Sequence, residues 1–244
     1  MNCNRILMKV SGGALGGNNG EVFSKKQIDS IVEEIINAKK HNIEIAVLVG
    51  GGNIFRGWFA KDLEIKRTDS DSIGMLATVI NSIMLKGKIV AKTNFDVRIM
   101  TPFSISGITE VFNSQRASRY LSEDKILILG GGIGLPFFST DYPTIHRALE
   151  MEADIVLIAK NGVDGIYTSD PRKNSTAKRY KAITYDEAIK NNLRIIDKEA
   201  FVLAQKFSMP LYFYDFNEKD AVRKICLGEE IGTLVNNNVK TCFY

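Results

Sequence analysis

The sequence predicts an α/β fold, a three-layer α/β/α sandwich with a largely parallel central sheet. Short β-branched runs alternate with amphipathic helical stretches along the 244 residues, as in parallel strands joined by helical crossovers. The strand runs are almost wholly apolar, as expected where helices cover both faces of a sheet. The length suits one large domain, which we expect to span residues 1–244.

The predicted strands are compact apolar runs that could be buried within such a sheet. They lie at residues 5–10, 45–49, 98–100, 126–129, 155–158 and 211–214.

Amphipathic stretches between these runs predict the helices. The clearest covers residues 25–40, where isoleucines and one valine recur on a single face from Ile28 to Ile36. The other helices are predicted at residues 72–85, 144–152, 185–190, 198–207 and 218–227. In the second helix, we expect four side chains to face inward: Leu76, Val79, Ile80 and Ile83. Ser24 and Gln27 are predicted to form a capping box at the start of the first helix. Further predicted N-caps are Thr184, paired with Glu187, and also Asp197 and Asn217, whereas Gly228 is a predicted helix stop.

Composition argues against several functional classes. The net charge of +4 comes from lysines that are dispersed among acidic residues, so we expect a solvated surface and no dedicated nucleic-acid site. Cys3, Cys226 and Cys242 show no paired spacing and are expected to be free thiols in the cytoplasm. The longest apolar runs are too short to cross a bilayer, and no signal-peptide pattern begins the sequence, so no membrane association is expected.

Three predicted strands run directly into glycine. Residues 11–13, 50–53 and 130–134 carry these turns. Glycine lets backbone N–H groups approach an anion closely, and ligands of doubly wound sheets bind beyond the carboxyl ends of the strands. A single such turn has a simple steric explanation, but three together predict a phosphate site.

Two cations accompany the glycine turns, Lys9 before the first and Arg56 after the second. Arginine suits bidentate phosphate recognition, whereas lysine supplies a compact charge.

The sequence contains no GxxxxGK[ST] P-loop, and residues 130–134 lack the third glycine and following helix of a dinucleotide motif. An obvious general base is also missing, but a phosphate acceptor is already ionised at pH 7 and needs only alignment and charge neutralisation.

Five segments, in this order, resemble the motif set of bacterial UMP kinases, which belong to the amino acid kinase superfamily. They are KVSG at 9–12, GGGNIFRG at 50–57, DSIGMLAT at 71–78, PFFSTD at 136–141 and VDGIYTSDP at 163–171. The resemblance extends through residues 228–234. It implies the amino acid kinase fold, with an acceptor-binding part at about 1–150 and an ATP-binding part at about 151–235.

The resemblance also implies a reaction, phosphoryl transfer from MgATP to UMP, with Mg²⁺ bound through ATP and no metal ligands on the protein. The implied catalytic residues are Lys9, Arg56 and Asp197, with Asp197 holding Lys9 in position. The implied ATP-binding residues are Lys9, Val10, Ser11, Gly12, Gly52, Arg56, Asn161, Tyr167 and Asp170, with Lys160 as a further phosphate contact. The implied UMP-binding residues are Gly51, Asp71, Ile133, Gly134, Leu135, Pro136, Phe137, Phe138, Ser139 and Thr140.

The family is typically hexameric, inhibited by UTP and activated by GTP. The resemblance therefore implies a homo-oligomer with UTP inhibition. It does not extend to GTP activation, because residues 17–22 diverge from the family pattern. Gly13 stands where the family commonly has Glu, and Ile133 and Leu135 stand where it has Thr and Asn. These changes remove polar side chains from the predicted acceptor site.

Three alternatives differ in class. A related kinase for another small acceptor would keep Lys9 and the glycine turns without needing Arg56 and Asp71 together. A non-catalytic nucleotide sensor would be expected to have lost Lys9, Arg56 or Asp197, all of which are present. A Rossmann oxidoreductase would require the dinucleotide motif that the chain lacks, and it ranks last.

Overall fold

The computed structural model describes residues 3–17, 20–160, 162–193 and 196–244, including every side chain in these ranges except those of Trp58 and Lys61. Asn161, predicted to border ATP, lies outside the described residues.

One mixed sheet of ten strands forms the centre of the fold, in the order β10-β7-β9-β8-β6-β1-β2-β5-β3-β4. Neighbours from β8 through β4 pair in parallel, whereas β8–β9 and β7–β10 pair antiparallel. The strands are β1 Arg5–Val10, β2 Glu44–Val49, β3 Val97–Thr101, β4 Glu110–Val111, β5 Ile126–Leu129, β6 Ile155–Lys160, β7 Tyr180–Ile183, β8 Leu211–Asp215, β9 Thr233–Val235 and β10 Cys242–Phe243.

Helices cover both faces of this sheet, which confirms the predicted three-layer α/β architecture. They are α1 Lys25–Lys40, α2 Gly57–Asp62, α3 Arg67–Lys92, α4 Ser114–Ser122, α5 Asp141–Glu150, α6 Tyr185–Lys190, α7 Lys198–Lys206 and α8 Ala221–Cys226. Helices α1, α3 and α8 contribute to the apolar core on one face. The core on the other face takes residues from α4, α5, α6 and α7.

All six predicted strands and all six predicted helices are present, with shifted ends in several. The unpredicted strands β4, β7, β9 and β10 have only two to four residues each, too few to show a periodic pattern. Helix α4 was missed because it is mostly polar and buries only Ala117 and Leu121. The three cysteines are free thiols, as expected.

The predicted helix boundaries were partly wrong. Thr184 does cap α6 by accepting a hydrogen bond from the Glu187 amide at 3.2 Å, but the Ser24 side chain makes no cap bond to α1. Asn217 does not cap α8, which begins after Asp220 instead. The Glu34 carboxylate of α1 accepts from the Asp220 amide at 2.6 Å, so a distant side chain satisfies this helix start.

The inward face of α3 also differs from the prediction. Val79 is buried, but Leu76, Ile80 and Ile83 are 50%, 48% and 42% exposed. The face toward the sheet carries small and polar side chains because it packs against the glycine turns. A Cβ placed on Gly51, for example, would lie 2.9 Å from the Cβ of Ala77.

By length and composition alone, α3 is apolar enough to cross a membrane. Its buried residues include Ala77, Leu85 and Ile89, and the last two belong to the core beneath the sheet. We therefore describe α3 as a helix of the protein core with one exposed apolar side.

Candidate active site

The three glycine turns lie side by side at the carboxyl ends of β1, β2 and β5, because these strands are adjacent and parallel. The turns pack backbone to backbone: a Cβ on Gly12 would lie 2.8 Å from the carbonyl carbon of Gly51. Gly131 has φ +76°, a conformation that favours glycine, and its N–H donates to Thr78 Oγ1 at 2.6 Å. Side chains are thus excluded where a ligand's phosphates would approach.

A cleft of about 520 Å³ opens beside these turns. Of the predicted UMP-binding residues, those that line it are Gly51, Asp71, Ile133, Leu135, Phe138, Ser139 and Thr140. Four predicted ATP-binding residues line it as well: Ser11, Gly12, Gly52 and Arg56. We call this space the first cleft.

Arg56 lies between two of the glycine turns. Its Nε donates to the Gly52 carbonyl at 2.6 Å, and one of its terminal nitrogens is 3.5 Å from where a Cβ on Gly13 would stand. A longer acidic side chain at position 13 would therefore face the guanidinium. With glycine there, the guanidinium is left beside the cleft to meet an anionic ligand.

Asp71 organises one wall of the first cleft. Its carboxylate accepts from Arg67 Nε at 2.8 and 2.9 Å and from the Phe137 amide at 2.7 Å. Phe137 has φ +72°, an unusual conformation for a residue with a side chain. The Asp71 carboxylate therefore holds the predicted acceptor loop in a strained local geometry.

Lys9 forms an ion pair with Asp141, at the start of α5. Both side chains are largely buried, with 13% and 14% exposure. Asp197, predicted to hold Lys9, contributes its backbone N–H, which donates to Asp141 Oδ2 at 3.0 Å, and the carboxylate paired with Lys9 is that of Asp141. The predicted role of the Asp197 carboxylate stays a prediction. The sequence segment 136–141 includes Asp141, but nothing in its pattern indicated that the helix start would face Lys9.

Positive charge is in excess in the cluster of Lys9, Asp141 and Lys160. Burial disfavours the Asp141 carboxylate, but Lys9 and the Asp197 amide outweigh it and hold the pKa of Asp141 below its usual value. Burial, followed by repulsion from the Lys9 ammonium, lowers the pKa of Lys160 at the end of β6. Two lysines thus share one carboxylate, an arrangement suited to binding additional negative charge.

A second cleft, also of about 520 Å³, lies beside Lys160 at the end of β6. It is lined by Lys160, Val163, the segment from Gly165 to Pro171 and Asn191 to Leu193. Tyr167 and Asp170, both predicted to border ATP, are among the lining residues. The Tyr167 hydroxyl donates to Asp164 Oδ1 at 2.6 Å.

Comparison with known proteins places this arrangement in a family. The amino acid kinase family matches residues 4–215. The uridylate kinase of Frankia casuarinae is 41% identical over 234 residues, which cover 96% of this chain and 90% of that protein. The chain belongs to the uridylate kinases of the amino acid kinase family. This confirms the resemblance drawn from the five sequence motifs.

Solved structures of uridylate kinases agree with the fold described above. The UMP kinase from Bacillus anthracis matches with a TM-score of 0.97 and 41% identity, covering 100% of both chains. The UMP kinase from Ureaplasma parvum matches with a TM-score of 0.90 and 30% identity, covering 97% of this chain and 100% of that one.

Some predicted site residues lie away from the clefts of this uridylate kinase. The Val10 side chain is buried in the core, and its carbonyl accepts from the Gly50 amide at 2.8 Å. Gly134, Pro136 and Phe137 belong to the predicted acceptor loop without lining the first cleft, and Phe137 is 66% exposed. Their roles in UMP binding stay predictions.

Sequence reasoning missed the side chains that support the second glycine turn. Asn81 of α3 is fully buried and donates to the Gly50 carbonyl at 2.6 Å and to Asn53 Oδ1 at 2.7 Å. The sequence offered one signal for this role, the polar Asn81 among the apolar residues of the predicted helix. In the described ranges, no group of three or more His, Cys, Asp or Glu side chains could hold a metal ion.

Proposed function

We infer that this chain is a UMP kinase, which transfers the γ-phosphoryl group of ATP to UMP and releases UDP and ADP. One observation supports the assignment beyond family membership: the Lys9–Asp141–Lys160 cluster joins chain segments that line the two clefts. Lys160 lines the second cleft, and Thr140, next to Asp141, lines the first. A phosphoryl group passing between two bound nucleotides would meet this cluster.

The chemistry requires positioning and neutralisation of charge. The UMP phosphate has a second pKa of about 6, so its nucleophilic oxygen is ionised without a protein base. Lys9, oriented by Asp141, would stabilise the transferring group, and Arg56 would neutralise charge beside the glycine turns. Asp197 would assist through the backbone hydrogen bond that orients Asp141.

The two clefts support a division of labour along the chain. We assign the acceptor to residues of about 1–150, since the first cleft is built entirely from this part. We assign the ATP base and ribose to residues of about 151–235, which build the second cleft with Tyr167 and Asp170. Mg²⁺ would arrive as part of the MgATP substrate and would offset the charge of its phosphates.

A coupled ADP-release assay with MgATP tests this function. We expect release that depends on UMP and is much weaker with CMP, dUMP or carbamate. Release with carbamate alone would identify a different acceptor class, and nucleotide binding without release on any acceptor would identify a sensor. Either result would contradict the assignment.

Five apolar side chains on α3 support a homo-oligomer. Ile73, Leu76, Ile80, Ile83 and Val90 are each 38–50% exposed and recur at intervals of three, four and seven residues. We call these five residues the α3 stripe. Their spacing is typical of the contact surface between two similar helices. We propose that a second copy of the chain covers it, within a hexamer of 27.2 kDa chains.

Replacing Ile80 with glutamate should dissociate this assembly, because the charge would be buried at this contact surface. Sedimentation velocity is expected to show the native chain as an oligomer and Ile80→Glu as a smaller species. Ile189→Glu is the matched control, since Ile189 is 50% exposed on α6 and lies outside the stripe. Equal sizes for native chain and Ile80→Glu would contradict this contact surface.

Regulation and location complete the proposal. UTP shares the uridine portion of the acceptor, so we propose that it inhibits by binding the first cleft. We place the reaction in the cytoplasm, in keeping with three free cysteine thiols.

A further inference from the structure

The last residues of the sequence pack beside the second cleft. Strand β10 pairs with β7, and the ring of Phe243 stacks on Tyr180 with centroids 4.5 Å apart. The Tyr244 hydroxyl lies 2.9 and 2.8 Å from the carbonyl oxygens of Glu230 and Gly232, which share its single donor hydrogen. The hydroxyl end of the Tyr244 side chain is therefore tied to the turn that leads into β9.

The Tyr244 ring supports a cation. The guanidinium carbon of Arg179 lies 3.7 Å from the ring centroid, within the range of a cation–π contact. Arg179 in turn forms an ion pair with Asp164 Oδ2, and the other Asp164 oxygen accepts from the Tyr167 hydroxyl. A continuous series of contacts thus runs from Tyr244 to a side chain that lines the second cleft.

The same strands hold the backbone of this segment. The Ile166 amide donates to Thr233 Oγ1 of β9 at 2.9 Å, and the Tyr180 amide of β7 donates to the Ile166 carbonyl at 2.9 Å. Backbone position is thus set by β7 and β9. The Asp164 side chain, by contrast, pairs with Arg179 and accepts from the Tyr167 hydroxyl.

We propose that Tyr244 is a positioning residue for ATP, acting through Arg179 and Asp164 to orient Tyr167 in the second cleft. The proposal rests on the assignment of ATP to this cleft. Asp164 is 44% exposed, so water competes for its carboxylate when the guanidinium is not held. Burial and the hydrogen bond to the Asp164 carboxylate raise the pKa of Tyr167, which keeps its hydroxyl a donor.

Three variants test the series: Tyr244→Ala, Tyr244→Phe and Arg179→Met. We expect Tyr244→Ala to raise the Kd of ATP, measured by calorimetry, and the KM for ATP by about three- to tenfold. The KM for UMP should stay within about twofold of native, since the first cleft is separate. Tyr244→Phe keeps the ring beneath Arg179 and should recover most of the ATP affinity.

A matched control and a double variant sharpen the result. Phe207→Ala removes an aromatic side chain of similar exposure, 55% against 53%, that lies at the end of α7. It should leave the Kd of ATP unchanged. In the Arg179→Met background, Tyr244→Ala should add little, because both changes interrupt the same series.

Three results would overturn the proposal: an unchanged Kd of ATP in Tyr244→Ala, equal increases in the KM values of ATP and UMP, or fully additive effects in the double variant. Failure of the native chain to phosphorylate UMP would instead overturn the proposed function. The calorimetric comparison of ATP binding would still test Tyr244 in that case.

Discussion

Replacing Lys9 with methionine is expected to lower kcat for UMP phosphorylation by about a thousandfold or more, because the ammonium offsets charge that develops during transfer. Methionine keeps much of the side-chain volume. Stopped-flow or coupled ADP-release measurements at saturating substrates would check the change, with circular dichroism to confirm folding.

Loss of Lys9 also leaves the largely buried Asp141 carboxylate with less compensation, at a cost to stability of roughly 3 kcal/mol. The double variant Lys9→Met/Asp141→Asn removes both charges and should recover most of the free energy of unfolding without recovering activity. Return of activity in the double variant would show that Lys9 acts by charge balance alone and would contradict its assignment to the transferring group.

Replacing Arg56 with alanine is expected to lower kcat/KM for UMP by about 100- to 1000-fold, because a charge-assisted contact beside the glycine turns is lost. Steady-state kinetics with UMP varied at saturating MgATP would measure it. Stability should change little, since Arg56 is exposed and its hydrogen bond to Gly52 joins residues of one turn.

Two further variants make this result specific. Arg56→Lys keeps the charge but loses the planar fork, so we expect an intermediate kcat/KM. Arg223→Ala, on α8 and outside both clefts, should retain native kinetics. Native kinetics in Arg56→Ala would remove Arg56 from the acceptor site.

Much of the site could be predicted from the sequence because its main components are local. Each glycine turn directly follows an apolar strand, and Lys9 and Arg56 stand within a few residues of those turns. Parallel strands then bring the turns to one edge of the sheet without further information. Family motifs supplied the remaining assignments, of which Tyr167 and Asp170 line the second cleft.

Long-range contacts were beyond reach of the same reasoning. Asp141 meets Lys9 across 132 positions, and the Asp220 amide at the start of α8 is satisfied by Glu34, 186 positions away. Apolar periodicity identified α3 as a helix but placed its exposed stripe inward, since a pattern alone does not distinguish a core face from an exposed apolar face.

By itself, the sequence determined the α/β layers, the glycine turns and the two cations beside them, because strand patterning and turn chemistry act over a few residues. Only the tertiary structure decided which carboxylate pairs with Lys9, which side of α3 faces out and that Tyr244 packs on Arg179. These features depend on strand order and helix packing, which bring together residues that no local pattern relates.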